Sequence, residues 1–196
     1  MLSDHKELIG FISVVLAASA YIEYIKSTIN GKVSPHLFTW LIWTILTGIA
    51  YFGQISDNAG PGAWATGLSA VASGIITILA LFQKKEYTIT KSDWITFISS
   101  ILAIPLWVLT KTPIYSIILI TSIDLISFYP TIRKTWLYPE QESLFCFTLS
   151  GIKFFVALLA LDKFSFITAF YISALVFANL GFVAYTIIVR KIKVPS

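Results

Sequence analysis

Charge is what this sequence most conspicuously lacks. Of its 196 residues, 12% are Asp, Glu, Lys or Arg, while 57% are apolar. A soluble domain carries about a quarter charged residues. With half that share, the chain has too little polar surface to coat a water-exposed globule. A soluble enzyme, a disordered tail and a nucleic-acid-binding domain are thereby excluded. Cysteine is nearly absent: Cys146 alone permits no intramolecular disulfide, and with only two histidines it cannot build a zinc cluster. Missing too are a phosphate-binding Gly loop, a His-Glu-x-x-His helix and a nucleophile motif, so nothing supports catalysis and no cofactor is expected. The net charge of +4 is read as topological, because cytoplasmic loops of membrane proteins collect Lys and Arg.

What the chain does have is long apolar runs. About 20 such residues span a bilayer as a helix. Seven runs qualify: 8–25, 37–55, 63–82, 94–110, 114–130, 144–161 and 167–189. They are continuous rather than alternating, which argues for helices and against a barrel. The loops on one face carry Lys6, Lys111 and Lys163; those on the other carry ten Lys and Arg, among them Lys26, Lys84, Arg133, Lys134 and Arg190. This bias puts the N-terminus outside and the C-terminus in the cytoplasm, with a bacterial inner membrane as the expected location. Ala18-Ser19-Ala20 resembles a signal-peptidase site, but two acids against one Lys precede it, and the first helix is read as retained.

Sliding the chain on itself by 107 positions superposes the first three runs on the last three without gaps. Ile25-Lys26 falls on Ile132-Arg133, Leu37-Phe38 on Leu144-Phe145, Ala50 on Ala157 and Gly74 on Gly181. The expected fold is therefore an all-α membrane domain of seven helices over 1–196. Two parallel three-helix bundles, 8–82 and 114–189, are joined by a linker helix at 94–110. In such a protein a binding site lies between the bundles, near the midplane.

This layout resembles the PQ-loop superfamily, which includes the SWEET sugar transporters, the lysosomal amino-acid exporters and the KDEL receptor. Tyr129-Pro130-Thr131-Ile132-Arg133-Lys134-Thr135 resembles the family's Pro-Gln turn, with Thr131 in place of Gln. Tyr51-Phe52-Gly53 resembles the Tyr-Gly that closes the second helix of SWEETs, and Asn179 lies where a SWEET-like protein keeps a polar Asn. Trp40-Leu41-Ile42-Trp43 is similar to the Trp-x-x-Trp element of the Pnu vitamin transporters. The resemblance implies a small-solute transporter working by alternating access, facilitative or proton-linked. A membrane receptor or cargo-binding module of the same fold, and a scaffold without solute, are the alternatives. The expected partners are a small-molecule solute and the lipid bilayer, with no nucleic acid.

Ionisable groups inside spans point to sites, since each costs about 2.5–3.5 kcal/mol at a helix centre. Asp124 and Lys153 lie at similar depth on consecutive antiparallel spans, roughly 13 and 15 Å from the basic turn at 1.5 Å per residue, which predicts an ion pair. Asn179, Trp43 and its repeat mate Ser150 complete the candidate substrate-binding set. Glu23 and Pro130 occupy equivalent positions in the two copies and are candidate gate residues. Glu23 shares a helix face with Lys26, a pairing expected at the interface. Trp64, Trp94 and Trp136 read as interface anchors. Trp107 lies near the outer end of the fourth run, and a lipid-facing position is the default for Trp40 and Trp43. Gly67, Ser69, Ser73 and Gly74 read as packing residues.

Overall fold

A computed structural model describes residues 2–83, 89–109 and 112–193. No strand is present among them. Eight α-helices follow in order: α1 (Leu2–Ile29), α2 (Leu37–Ser56), α3 (Trp64–Phe82), α4 (Lys91–Leu109), α5 (Pro113–Ile126), α6 (Phe128–Leu137), α7 (Leu144–Leu159) and α8 (Phe166–Lys193). Five stretches are long and apolar enough to cross a membrane: His5–Ile29, Leu37–Ser56, Gly60–Phe82, Ile114–Leu137 and Phe166–Lys193. Helix α7 is equally apolar but shorter, at 16 residues. The side chain of Trp107, and Lys84, Lys85 and Lys111, lie outside the described residues.

Polarity is distributed inside out. Phe82, Phe177 and Phe52 are 83%, 77% and 69% exposed, whereas Asp93, Asp124, Lys134, Glu142, Lys153 and Gln54 are all buried. A protein in water would bury the first set and solvate the second. In lipid the apolar rings face the solvent, and ionisable groups must turn toward the bundle interior.

The run expected at 114–130 departs from a single helix. It breaks at Ser127 and restarts as α6, which continues to Leu137. Pro130 explains the break: in an unbroken helix its ring would strike the carbonyl of Ile126, and its missing N–H is harmless only in a first turn. Ser127 closes the end of α5, its Oγ donating to the Asp124 carbonyl at 2.6 Å. This fixes the backbone that carries Asp124.

Helix α3 packs between α1 and α2, and α8 packs between α5 and α7. The two groups meet chiefly along α1 and α7, while α4 leans on α5, α2 and α6. Gly67 permits the α2–α3 approach, since a Cβ there would stand 2.7 Å from the Tyr51 ring.

Both ends of the bundle are closed by loops that touch. At one end the Ser34 N–H donates to the Gln141 carbonyl at 3.2 Å, and Thr131 donates to Thr39 at 3.0 Å. Lys134 is buried there between the Ser34 carbonyl and the Glu142 carboxylate, which also accepts from Tyr24 at 3.0 Å. At the other end the Asp162 N–H donates to the Ala59 carbonyl at 3.0 Å, and Lys163 meets Asp57 at 2.6 Å. Gly60, at φ +61°, leaves no room for a side chain: a Cβ would stand 1.9 Å from Asp162.

Candidate functional site

Between these closed ends lies a narrow void of about 30 Å³, room for one or two water molecules. Four pairs of residues 107 positions apart line it together: Tyr21 with Phe128, Trp40 with Phe147, Trp43 with Ser150, and Thr47 with Phe154. The remaining lining is mostly one-sided. Asp124 and Asn179 have Ala17 and Ala72 as their counterparts, so the carboxylate and the amide of the site come from α5 and α8 alone.

The walls are aromatic. Trp40 meets Trp43 edge-on with ring centres 5.1 Å apart, and Trp43 packs on Phe128 at 4.5 Å. Such contacts hold large rings in fixed orientations. Trp40 and Trp43 are therefore buried and not lipid-facing, which corrects the default expected for them. The spacing of Trp40 and Trp43 put them one turn apart, but could not say which side of α2 faced inward. Trp64, Trp94 and Trp136 are exposed near helix ends.

The expected Asp124–Lys153 ion pair is not formed. Lys153 Nζ donates to the Tyr21 hydroxyl at 2.7 Å and to Ser69 Oγ at 2.9 Å. It also lies 4.0 Å from the centre of the Tyr21 ring and 4.6 Å from that of Phe154. Lys153 thus stands one layer behind the void, with Tyr21 between. Asp124 is 1% exposed and lines the void, and neither carboxylate oxygen has a hydrogen-bond partner among the described residues. Equal depth on neighbouring spans speaks only of height along the helix axes. It carries no information about rotation around each helix axis, and Lys153 is turned toward α1 and α3.

Asn179 and Ser150 both line the void, and Asn179 donates to the Leu175 carbonyl of its own helix at 2.7 Å. Ser69 and Ser73 do more than allow close packing. The first holds Lys153, and the second lines the void. Glu23 accepts from Ser27 at 2.7 Å and from Ser143 at 2.6 Å, which ties α1 to the start of α7. These bonds take the place of the expected pairing with Lys26. Neither Glu23 nor Pro130 borders the void.

Two polar clusters escaped sequence reading because their members sit in or beside loops. One is the buried Tyr24–Glu142–Lys134 network just described. The other gathers Asp93, Arg133 and His36. Arg133 engages Asp93 through two nitrogens at 3.2 and 2.6 Å, and His36 Nε2 lies 3.6 Å from the same carboxylate. Burial would raise the Asp93 carboxyl, but bonds from the Thr90 backbone, Arg133 and the Thr90 hydroxyl outweigh it and hold it low. Burial depresses His36 to about 4 against the partial opposition of Asp93. The basic count that set orientation included Arg133, yet nothing in that count indicated a carboxylate partner 40 residues earlier. Comparison with family models, with curated proteins and with solved structures finds no match to this chain.

Proposed function

We propose that this chain is a small-solute membrane transporter of SWEET-like, PQ-loop type, in which two parallel three-helix bundles rock about a central site. The observation that carries this reading is the void lined by four residue pairs, each 107 positions apart. A cavity on a pseudo-symmetry axis between repeats is where alternating access needs its site. The packing agrees: α1–α3–α2 and α5–α8–α7 have the same order in the two copies, with α5 and α6 counted as one broken span. At one closed end the contact itself joins repeat counterparts, since Ser34 and Gln141 are 107 apart. On this reading α4 is the linker, the N-terminus faces out and the C-terminus faces the cytoplasm. Asp124, Asn179, Trp43 and Ser150 contact solute, and Lys153 orients Tyr21.

The test is uptake of labelled sugars, amino acids and amines into proteoliposomes holding the purified protein. Saturable entry of any one of them, lost in Asn179→Ala with the melting temperature kept, supports transport. Solute binding without entry would replace it with the receptor reading.

A further inference from the structure

The void is unusual in its electrical balance. A buried lysine and a buried aspartate stand beside it, and only the lysine is satisfied among the described residues. The Lys153 ammonium has two hydroxyl partners and two ring faces. Asp124 has two acceptor oxygens with nothing to accept from, at 1% exposure. A carboxylate is not left so in a low-dielectric interior without large cost, and water alone would meet its hydrogen bonds but not its charge. Such a group is settled in one of two ways, by taking up a proton or by meeting a cation that brings N–H donors, and the walls of the void favour the second.

The walls match such a guest. Trp43, Trp40, Phe128 and Tyr21 border the same space. Ring faces attract ammonium groups within about 6 Å. The molecule already uses this chemistry, with Lys153 at 4.0 Å over Tyr21 and 4.6 Å over Phe154. A metal ion fits poorly, because no group of three His, Cys, Asp or Glu occurs among the described residues. The volume of about 30 Å³ limits the reacting end of the ligand, in this closed form, to a few heavy atoms.

We propose that the void is a recognition site for small primary ammonium compounds, with Asp124 as the counter-charge and Trp43 as the principal ring wall. This rests on the transport reading only for the passage of the ligand, not for its binding.

The experiment titrates methylammonium, with methanol as its neutral isostere, into the full chain in lipid nanodiscs and follows tryptophan fluorescence. Methylammonium should saturate and methanol should not. Asp124→Asn should weaken methylammonium at least about tenfold, and Asp124→Glu should retain part of the affinity. Should Asp124→Asn fail to fold, Trp43→Leu serves instead and should weaken binding several-fold. Equal response to methanol, or undiminished methylammonium binding in Asp124→Asn or Trp43→Leu, overturns the proposal. Uptake by proteoliposomes separates the two readings. If a neutral sugar enters while methylammonium neither binds nor enters, the ligand class is wrong and transport stands. If methylammonium binds and nothing enters, transport is wrong and the ligand class stands.

Discussion

At the scale of single residues, the molecule separates two charges that the sequence invited one to join. Lys153 is coupled to Tyr21 and Ser69, not to Asp124. Lys153→Met combined with Tyr21→Phe should therefore show a coupling of about 0.6–1.7 kcal/mol, the range found for hydrogen bonds between membrane helices. Lys153→Met combined with Asp124→Asn should be additive within about 0.5 kcal/mol. Double-mutant cycles on reversible unfolding in mixed micelles read both values, and the reverse ranking would restore the ion pair. A second residue, His36, makes stability depend on pH. It sits just before α2, facing Asp93 at the head of α4 and Arg133 and Lys134 on α6. Its folded value of about 4 lies below its ordinary 6.5, so the unfolded chain binds more protons between those limits. Stability should fall as the pH drops from about 6.5 toward 4. Asp93, also held low, adds a loss at the acid end of that window. In His36→Phe the melting temperature should fall less over the same interval; an unchanged slope would show that other groups carry the effect.

At the scale of elements, the apolar runs were legible because lipid demands length and continuity, and little else. Helices α2 and α3 stand at their expected limits, while α1 and α8 run past theirs, through the polar residues that flank each run. The α5–α6 break was not legible. Pro130 was visible, but a proline ends one helix or begins the next equally well, and which it does depends on whether Ser127 caps the first. The same limit governed the site. Residue counts along the runs put Asp124 and Asn179 in mid-span, and both line one void together with Trp43. The rotation of α7 that turns Lys153 away from Asp124 depends on tertiary packing that no single run encodes. Tight contact between elements is itself testable. A Cβ on Gly62 would stand 2.5 Å from Leu161 Cδ2 and 2.9 Å from the Ala157 carbonyl. Gly62→Val should cost about 1–3 kcal/mol in unfolding free energy by overpacking that corner against α7. Gly48 has nothing within 4 Å of such a Cβ, so Gly48→Ala should be neutral or should stabilise by about 0.4–1 kcal/mol. Equal effects of the two would mean that the loop between α2 and α3 does not seat on α7.

At the scale of the whole molecule, the two closed ends are the point on which the rocking mechanism stands or falls. Each end is a contact between two loops: the α1–α2 loop meets the α6–α7 loop through Ser34 and Gln141, and the α2–α3 loop meets the α7–α8 loop through Ala59 and Asp162. If two bundles alternate, the ends must open in turn, and each contact must break once per cycle. A disulfide across either one should then arrest transport while leaving the central site intact. The backbones already hydrogen-bond at 3.2 and 3.0 Å, so cysteines at these positions start close enough to bridge. Cys146, the single native thiol, is 1% exposed and does not compete. The measurement is solute uptake by proteoliposomes with the pairs Ser34→Cys, Gln141→Cys or Ala59→Cys, Asp162→Cys, oxidised and then reduced. Uptake should be lost on oxidation in each pair separately and return on reduction, while solute binding persists in at least one oxidised form. Loss in only one pair would mean that a single end moves and the other is a fixed seam, making the protein a one-sided binding module. Full uptake with both bridges formed would mean that solute does not pass between the bundles at all, and the pairing of residues around the void would then be a relic of duplication, not a site of passage.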